Sequence, residues 1–315
     1  MQMVITDGYT INPGDLSWTA FERLGELKYY DRTPAHLVTE RCKEATVIIT
    51  NKTPVTAQTI HNAPHLKLIT VMATGYNIVD INAAKDKGVP VCNVPEYGTN
   101  SVAQHTIALL LELTNHAGRH ALSVKDGEWV HSADWSYVKA PIVELSGKTI
   151  GIIGFGRIGQ KVAAIAKAFD MNVIINTRHK QLRSVSGVSL QELFTQSDVV
   201  SLHCPLTQDN YGFVNGKLLS LMKRSAFLIN TSRGQLINEQ DLAGALQKNE
   251  LAGAALDVLS TEPPSDDNPL IGLENCIITP HNAWISFEAR KRLMQATVDN
   301  IVAALKGHPV NVVNA

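Results

Sequence analysis

The sequence predicts an α/β protein made of two doubly wound parallel-sheet domains, and three observations carry this reading. Short apolar, β-branched runs alternate with helical patterns along the chain, the order that gives a parallel sheet covered by helices. The alternation runs twice, from Val4 to about Pro95 and again from Lys148 to about Thr279. The second series opens on KTIGIIGFGRIGQ (148–160), where Ile150, Ile152 and Ile153 lead straight into Gly154-Phe155-Gly156-Arg157-Ile158-Gly159. A helical pattern follows, with Ile158, Val162, Ile165, Ala166 and Phe169 on one face.

Strand, glycine turn and helix start in that order are what a dinucleotide site requires. Gly154 would allow the tight turn, Gly156 the approach of a pyrophosphate to the backbone, and Gly159 close packing of helix on strand. The helix N-terminus would offer free N–H groups and the positive end of its dipole to the phosphates. A bare GxGxxG also fits a glycine turn in another α/β unit, and the flanking strand and helix are what favour the phosphate site.

The elements of the first series are Val4-Ile5, ATVIIT (45–50), LKLITV (66–71) and VPVCNV (89–94), with helical stretches near 15–25, 34–42, 55–62 and 80–87. A long, mostly apolar helix is expected from Asn100 to about Arg119, capped by Asn100 or Ser101. The stretch 126–143 has no clear period. The strands of the second series are expected at 148–153, 172–176, 199–202, 226–230, 254–256 and 277–279, and a final helix at about 287–306 needs an apolar partner that the first domain can supply.

The totals exclude several classes. A chain of 315 residues is long for one core. A net charge of -1 provides no field to attract nucleic acid or an anionic membrane. No apolar run reaches the roughly 18 residues of a membrane span. The start, MQMVITDG, lacks a signal-peptide pattern. Cys42, Cys92, Cys204 and Cys276 show no paired spacing and fit reduced thiols better than disulfides or a metal site. A cytoplasmic location is expected.

The adenosine end of the dinucleotide site bears on cofactor choice. An NAD-specific site places an acid at the end of the second strand. Here Asn176 and Thr177 stand there, followed by Arg178, Lys180 and Arg183. Loss of the carboxylate removes repulsion of a 2′-phosphate, and Arg adds bidentate attraction. The expected cofactor is NADP(H); a solvated basic loop beside a permissive NAD(H) pocket is the alternative.

Three ionisable residues follow late strands of the second series: Arg233 in LINTSRG (228–234), Glu262 in ALDVLSTEPP (255–264) and His281 in TPHNAW (279–284). Singly, an Arg after a strand is often a surface ion pair, a Glu before two prolines a solvated turn, and a His structural. Together, at the carboxyl edge of a dinucleotide sheet, they are where chemistry belongs in such folds.

With ATGYNIVDINAAKDKGVPVCNVPEYGTNSVAQH (73–105), GIIGFGRIGQ (151–160) and SLHCPLT (201–207), these stretches resemble the D-isomer-specific 2-hydroxy acid dehydrogenase family over nearly the whole chain. DGYTINPGDLSW (7–18) and Trp284 resemble its glycerate dehydrogenase/hydroxypyruvate reductase branch. The resemblance implies a flavodoxin-like substrate-binding domain at 1–100 with 285–315 and a Rossmann cofactor domain at 101–284, with a ligand cleft and closure between them. It implies reduction of a small 2-oxo acid such as hydroxypyruvate or glyoxylate, without a metal. Arg233 would bind and polarise the 2-oxo acid, His281 would be the general acid or base, and Glu262 would hold the imidazole and favour its protonated form. Thr74 and Gly75 would grip the substrate carboxylate, together with Arg233 and His281. Arg157, Ile158, Thr177, Arg178, His203, Cys204, Pro205 and Thr231 would line the cofactor, and Asp257 would orient the nicotinamide carboxamide. Met72, Tyr76, Tyr97 and Trp284 would shape the substrate pocket. The helix from 101 would pair with its copy in a homodimer. Where many relatives have Glu the chain has Gln104, expected to affect structure or assembly and not catalysis. The alternatives are a reductase of another small 2-oxo acid and a dinucleotide-sensing co-repressor; the latter would need a peptide-binding surface or disordered extensions, neither visible in the sequence.

Overall fold

The structure is a computed structural model that describes residues 1–178 and 186–315. Lys180 and Arg183, expected above to form part of the basic group, lie outside the described residues. The chain divides into two compact units, Met1–Gly98 with Trp284–Ala315, and Thr99–Ala283.

The first unit holds a five-stranded sheet. Its strands are β1 (Gln2–Ile5), β2 (Glu26–Tyr29), β3 (Val47–Thr50), β4 (Leu68–Val71) and β5 (Val91–Cys92). They are parallel, in the order β2-β1-β3-β4-β5, the flavodoxin-like order. β3 and β4 are buried at every position, because helices cover both faces. Those helices include α1 (Thr19–Glu22), α2 (Val38–Cys42), α3 (Ala57–His61) and α4 (Ile81–Asp86). β2 is absent from the sequence expectation for a physical reason: ELKY sits at the sheet edge, mostly exposed, so it has no apolar signature.

The second unit holds seven parallel strands: β6 (Thr149–Ile153), β7 (Asn172–Asn176), β8 (Ser186–Gly187), β9 (Val199–Leu202), β10 (Phe227–Asn230), β11 (Gly253–Leu256) and β12 (Cys276–Ile278). Their order, β12-β11-β10-β9-β6-β7-β8, is the Rossmann order with one strand added. Six of these strands were expected; β8, two residues long, carries no pattern. Side chains alternate across the sheet. Ile150, Ile152 and Ile229 pack with α5 (Thr99–Asn115) and α7 (Arg157–Ala168). Leu202, Leu228 and Leu256 pack on the other face with α8 (Leu190–Gln196), α9 (Gly216–Leu219) and α10 (Glu239–Gln247).

Two expectations for the long helix need correction. It starts at Thr99, so Asn100 and Ser101 lie inside its first turn and do not cap it. It ends at Asn115, where His116 takes a left-handed backbone (φ +49°), and a separate helix α6 (Ala117–Lys125) follows. Its apolar residues, Val102, Ile107, Leu109, Leu110 and Leu113 among them, are buried within the unit. They need no second copy. The last helix, α11 (Phe287–Leu305), is capped by Ser286, whose hydroxyl accepts from the Ala289 amide, and packs on β4 in the first unit. Buried Arg290 ties it to Asp15 and to the Ile11 carbonyl.

Candidate active site

The turn after β6 is built by absent side chains. Gly154 has φ +89°, and a Cβ there would lie 2.5 Å from the His203 carbonyl oxygen and 2.7 Å from the Cys204 nitrogen. A Cβ on Gly159 would lie 2.3 Å from the Gly154 carbonyl oxygen. Gly156 is different: it is exposed, it precedes α7, and beyond its chain neighbours no atom of the described residues lies within 4 Å of where its Cβ would be. Gly156, the N-cap residue, brings no side chain to cap α7, which suits this helix start and its dipole end to an anion. These features fit a dinucleotide pyrophosphate.

The neighbouring strand ends continue this edge. The Asn176 side-chain amide donates to the Val188 carbonyl at 2.9 Å, a bond that a carboxylate could not make. Thr177 is half-buried and Arg178 exposed. Burial pushes the Cys204 thiol up, against its backbone hydrogen bond and the Arg178 charge. In the loop after β9, His203 donates its amide to the Ile153 carbonyl at 2.7 Å. Its Nε2 is 2.8 Å from the Ser201 hydroxyl. Its Nδ1 is buried with no partner among the described residues. Burial lowers the imidazole to about 4, which leaves it neutral.

Three loops bearing the ionisable trio leave the carboxyl ends of β10, β11 and β12. Arg233 follows β10, is half-buried, and among the described residues its guanidinium bonds to the Ser232 carbonyl at 2.7 Å. The Asn230 side chain holds this loop, donating to the Arg233 carbonyl and accepting from the Ser232 amide. Gly234 lets it touch the next loop: a Cβ there would lie 1.9 Å from the Leu259 carbonyl carbon. The Leu259 amide in turn donates to Glu262 Oε1 at 3.1 Å. Glu262 Oε2 lies 2.6 Å from His281 Nδ1. A carboxylate only accepts, so Nδ1 carries the hydrogen and Nε2 is the atom left for proton transfer. His281 sits at φ +51°, a conformation that costs a non-glycine residue about 1 kcal/mol or more.

Asp257 pins this last loop. It is 1% exposed. Its Oδ1 accepts from the Thr279 hydroxyl at 2.6 Å and the Asn282 amide at 2.9 Å; its Oδ2 accepts from the Ala283 amide at 2.9 Å; its carbonyl accepts from the His281 amide at 2.8 Å. Burial pushes its carboxyl up, but bonds led by that from His105 hold it below the usual carboxylate range. His105 and Thr106 on α5 were not singled out from the sequence, and Ser101, which reaches the same loops, was expected only as a helix cap. Their partners are more than 100 positions away, so no spacing could signal them.

In the first unit, Thr74 and Gly75 follow β4. Thr74 is exposed, and its hydroxyl donates to the Val94 carbonyl at 3.0 Å. Met72 is 0% exposed, so it belongs to the core and not to a pocket wall as expected. Tyr76 is exposed, and Tyr97 meets Trp284 edge-on at 6.1 Å. Among the described residues no cluster of His, Cys, Asp or Glu could hold a metal, and no helix is long and apolar enough to cross a membrane.

Residues 107–283 match the family described as D-isomer specific 2-hydroxyacid dehydrogenase, NAD binding domain. The chain is 48% identical to a hydroxypyruvate reductase of Blautia hydrogenotrophica over the whole of both chains. It is 42% identical to a glycerate dehydrogenase of Methylorubrum extorquens over 92% of each chain. Among solved structures it is similar to an NADPH-dependent glyoxylate/hydroxypyruvate reductase of Sinorhizobium meliloti in complex with NADP and malonate, with TM-score 0.85 and 27% identity, covering 99% of this chain and 96% of that one.

Proposed function

The chain belongs to the D-isomer specific 2-hydroxyacid dehydrogenase family, and from that premise we propose that it reduces hydroxypyruvate to D-glycerate, and glyoxylate as a second substrate. The observation that carries the reading is the 2.6 Å contact of Glu262 with His281 Nδ1 at the sheet edge that also bears the glycine turn and Arg233.

A nicotinamide dinucleotide bound there supplies the hydride. Gly154, Gly156, Arg157, Ile158 and Gly159 would hold its pyrophosphate, and His203, Cys204, Pro205 and Thr231 would line it. Arg233 would bind the carboxylate and carbonyl of the 2-oxo acid and stabilise the charge that grows on the carbonyl oxygen. His281 would deliver a proton to that oxygen from Nε2 while Glu262 steadies the imidazolium, and would take the proton back in oxidation. Thr74 and Gly75 would grip the substrate carboxylate. Asp257 Oδ2, with one lone pair left, would orient the carboxamide.

Cofactor preference is read as NADP(H) over NAD(H), because no acid ends β7 and Arg178 stands beside it. A panel of small 2-oxo acids assayed with both reduced cofactors tests the whole reading. Hydroxypyruvate should give the highest kcat/KM, and NADPH should exceed NADH. A higher value for another 2-oxo acid would reassign the substrate, and a higher value with NADH would remove the phosphate preference.

The protein is read as a homodimer, with the arm 117–143 as the covered surface. Leu122, Trp129, Val130, Trp135, Val138 and Ile142 are all exposed there, Trp135 at 87%, and large exposed apolar side chains grouped in one segment mark interaction surfaces. Sedimentation equilibrium should give twice the chain mass, and a monomer at micromolar concentration would count against it.

A further inference from the structure

Helix α5 makes contacts that the mechanism above does not use. In its first two turns, three side chains reach the catalytic loops of their own unit. Ser101 Oγ donates to the Ala283 carbonyl at 2.6 Å. Thr106 Oγ1 is 3.0 Å from Thr231 Oγ1, beside the Arg233 loop. His105 Nε2 is 3.1 Å from Thr279 Oγ1 and 3.5 Å from Asp257 Oδ1. Ser101 and His105 are one helical turn apart and so share a face; between them they hold both ends of the loop 279–283 that carries His281.

The direction of these bonds follows from proton counting. The Thr279 hydroxyl gives its one hydrogen to Asp257 Oδ1. Its oxygen can then only accept from His105, which puts a hydrogen on His105 Nε2. We propose that His105 is a positioning residue for the proton-transfer step: it donates into the Thr279–Asp257 pair, keeps the Asp257 carboxylate on the Asn282 and Ala283 amides, and thereby holds His281 in its left-handed backbone with Nδ1 on Glu262. The proposal rests on the reading of His281 as the proton-transfer group.

A carboxylate as buried as Asp257 is kept ionised by the donors and charges aimed at it. Three hydrogen bonds to its side chain come from the loop it pins, and His105, on a different element, lies 3.5 Å from Oδ1. His105 also leads the interactions that oppose the effect of burial on this carboxyl. Without it, Asp257 takes up a proton at higher pH, and the neutral carboxyl holds the two amides more weakly. Among the described residues no other ionisable side chain pairs with Asp257; Glu262 and His281 bond each other, and Arg233 bonds a carbonyl. His281, at φ +51°, relies on such a hold to remain where a non-glycine backbone is strained.

The test is kcat for 2-oxo acid reduction across pH in His105→Leu and His105→Gln, with dinucleotide Kd followed by nicotinamide fluorescence. In His105→Leu, kcat should fall about 10- to 100-fold, the effect of a small misplacement of a reacting group, while KM and Kd should change by less than about threefold. The acid limb should move to higher pH. His105→Gln keeps an N–H donor and should recover most of the rate. Unchanged kcat with an unmoved acid limb in His105→Leu overturns the proposal, as do equal losses in both variants with an unmoved limb. If His105→Leu does not fold, Thr279→Val, which removes the bridging hydroxyl, should show the same shift of the limb, and its absence overturns the proposal equally. His281→Ala in the same assays separates the two readings. Full turnover there removes the proton-transfer role itself, whereas an inactive His281→Ala beside an unaffected His105→Leu removes only the positioning role.

Discussion

The glycine turn after β6 and the His281 loop after β12 leave the same edge of one sheet, yet they are built by opposite means. The turn works by omission: Gly154 and Gly159 let β6, α7 and the His203 loop meet at backbone distance, and Gly156 leaves the start of α7 open. The His281 loop works by saturation. Asp257, Thr279, Glu262, His105 and Ser101 hold it with hydrogen bonds of 2.6 to 3.1 Å. A phosphate is recognised by many weak donors that any glycine turn can expose, so little has to be held in place. Proton transfer needs one ring nitrogen at one position, so its loop is tied from several elements. Substitutions in the two regions should therefore fail differently.

The largest effect is expected at His281. His281→Ala removes the proton donor but none of the turn, so kcat should fall about a thousandfold, within the range for general acid–base groups, with dinucleotide Kd unchanged by nicotinamide fluorescence. Equal loss of rate and of cofactor affinity would mean that the two regions are not separable.

Within the turn, the comparison sharpens between two glycines. Gly154→Ala must accept φ +89° and a Cβ at 2.5 Å from the His203 carbonyl oxygen, so it should lose about 3 kcal/mol of stability in urea unfolding and bind dinucleotide poorly. Gly156→Ala has open space and should keep its stability within about 1 kcal/mol while still weakening the dinucleotide. Full affinity in Gly156→Ala would show that the cradle does not take the phosphates.

The same contrast decides what could be read before the fold was known. The turn is legible because the lack of side chains is itself the signal and all its parts fall between Lys148 and Gln160. The buried strands β3, β4 and β6 are legible from their unbroken apolar runs. Arg233, Glu262 and His281 could be picked out by following strand ends, since each loop begins where an apolar run stops. What holds them could not. The His105–Thr279 contact spans 174 positions, and Gly234, quoted within a motif, shows its purpose only through its approach to Leu259. The break between α5 and α6 also escapes notice, because a histidine and not a glycine takes the left-handed position.

The smallest effect belongs to His203, which joins the two building styles. It is held by hydrogen bonds like the catalytic loop, yet its carbonyl fills the space that Gly154 leaves open. Burial lowers its imidazole from the ordinary 6.5 to about 4. At pH above 6.5 the ring is neutral in both folded and unfolded chains, and the environment costs nothing. Between the two values the unfolded chain takes up a proton that the folded chain refuses, so stability falls as pH falls, by at most about 1.4 kcal/mol per pH unit. Asp257, Asp198, Glu192 and Asp15 also have lowered carboxyls, but they lose their contribution only below the ordinary carboxylate range, near pH 4, and do not mask this window. His203→Gln keeps a hydrogen-bonding side chain and removes the titration. Urea unfolding at about pH 7 and about pH 5 should then show the wild-type protein losing some 1 to 2 kcal/mol more than the variant. An equal loss in both proteins would mean that the ring takes up its proton in the folded chain, and that the contact between the His203 loop and the glycine turn is open enough to hydrate it.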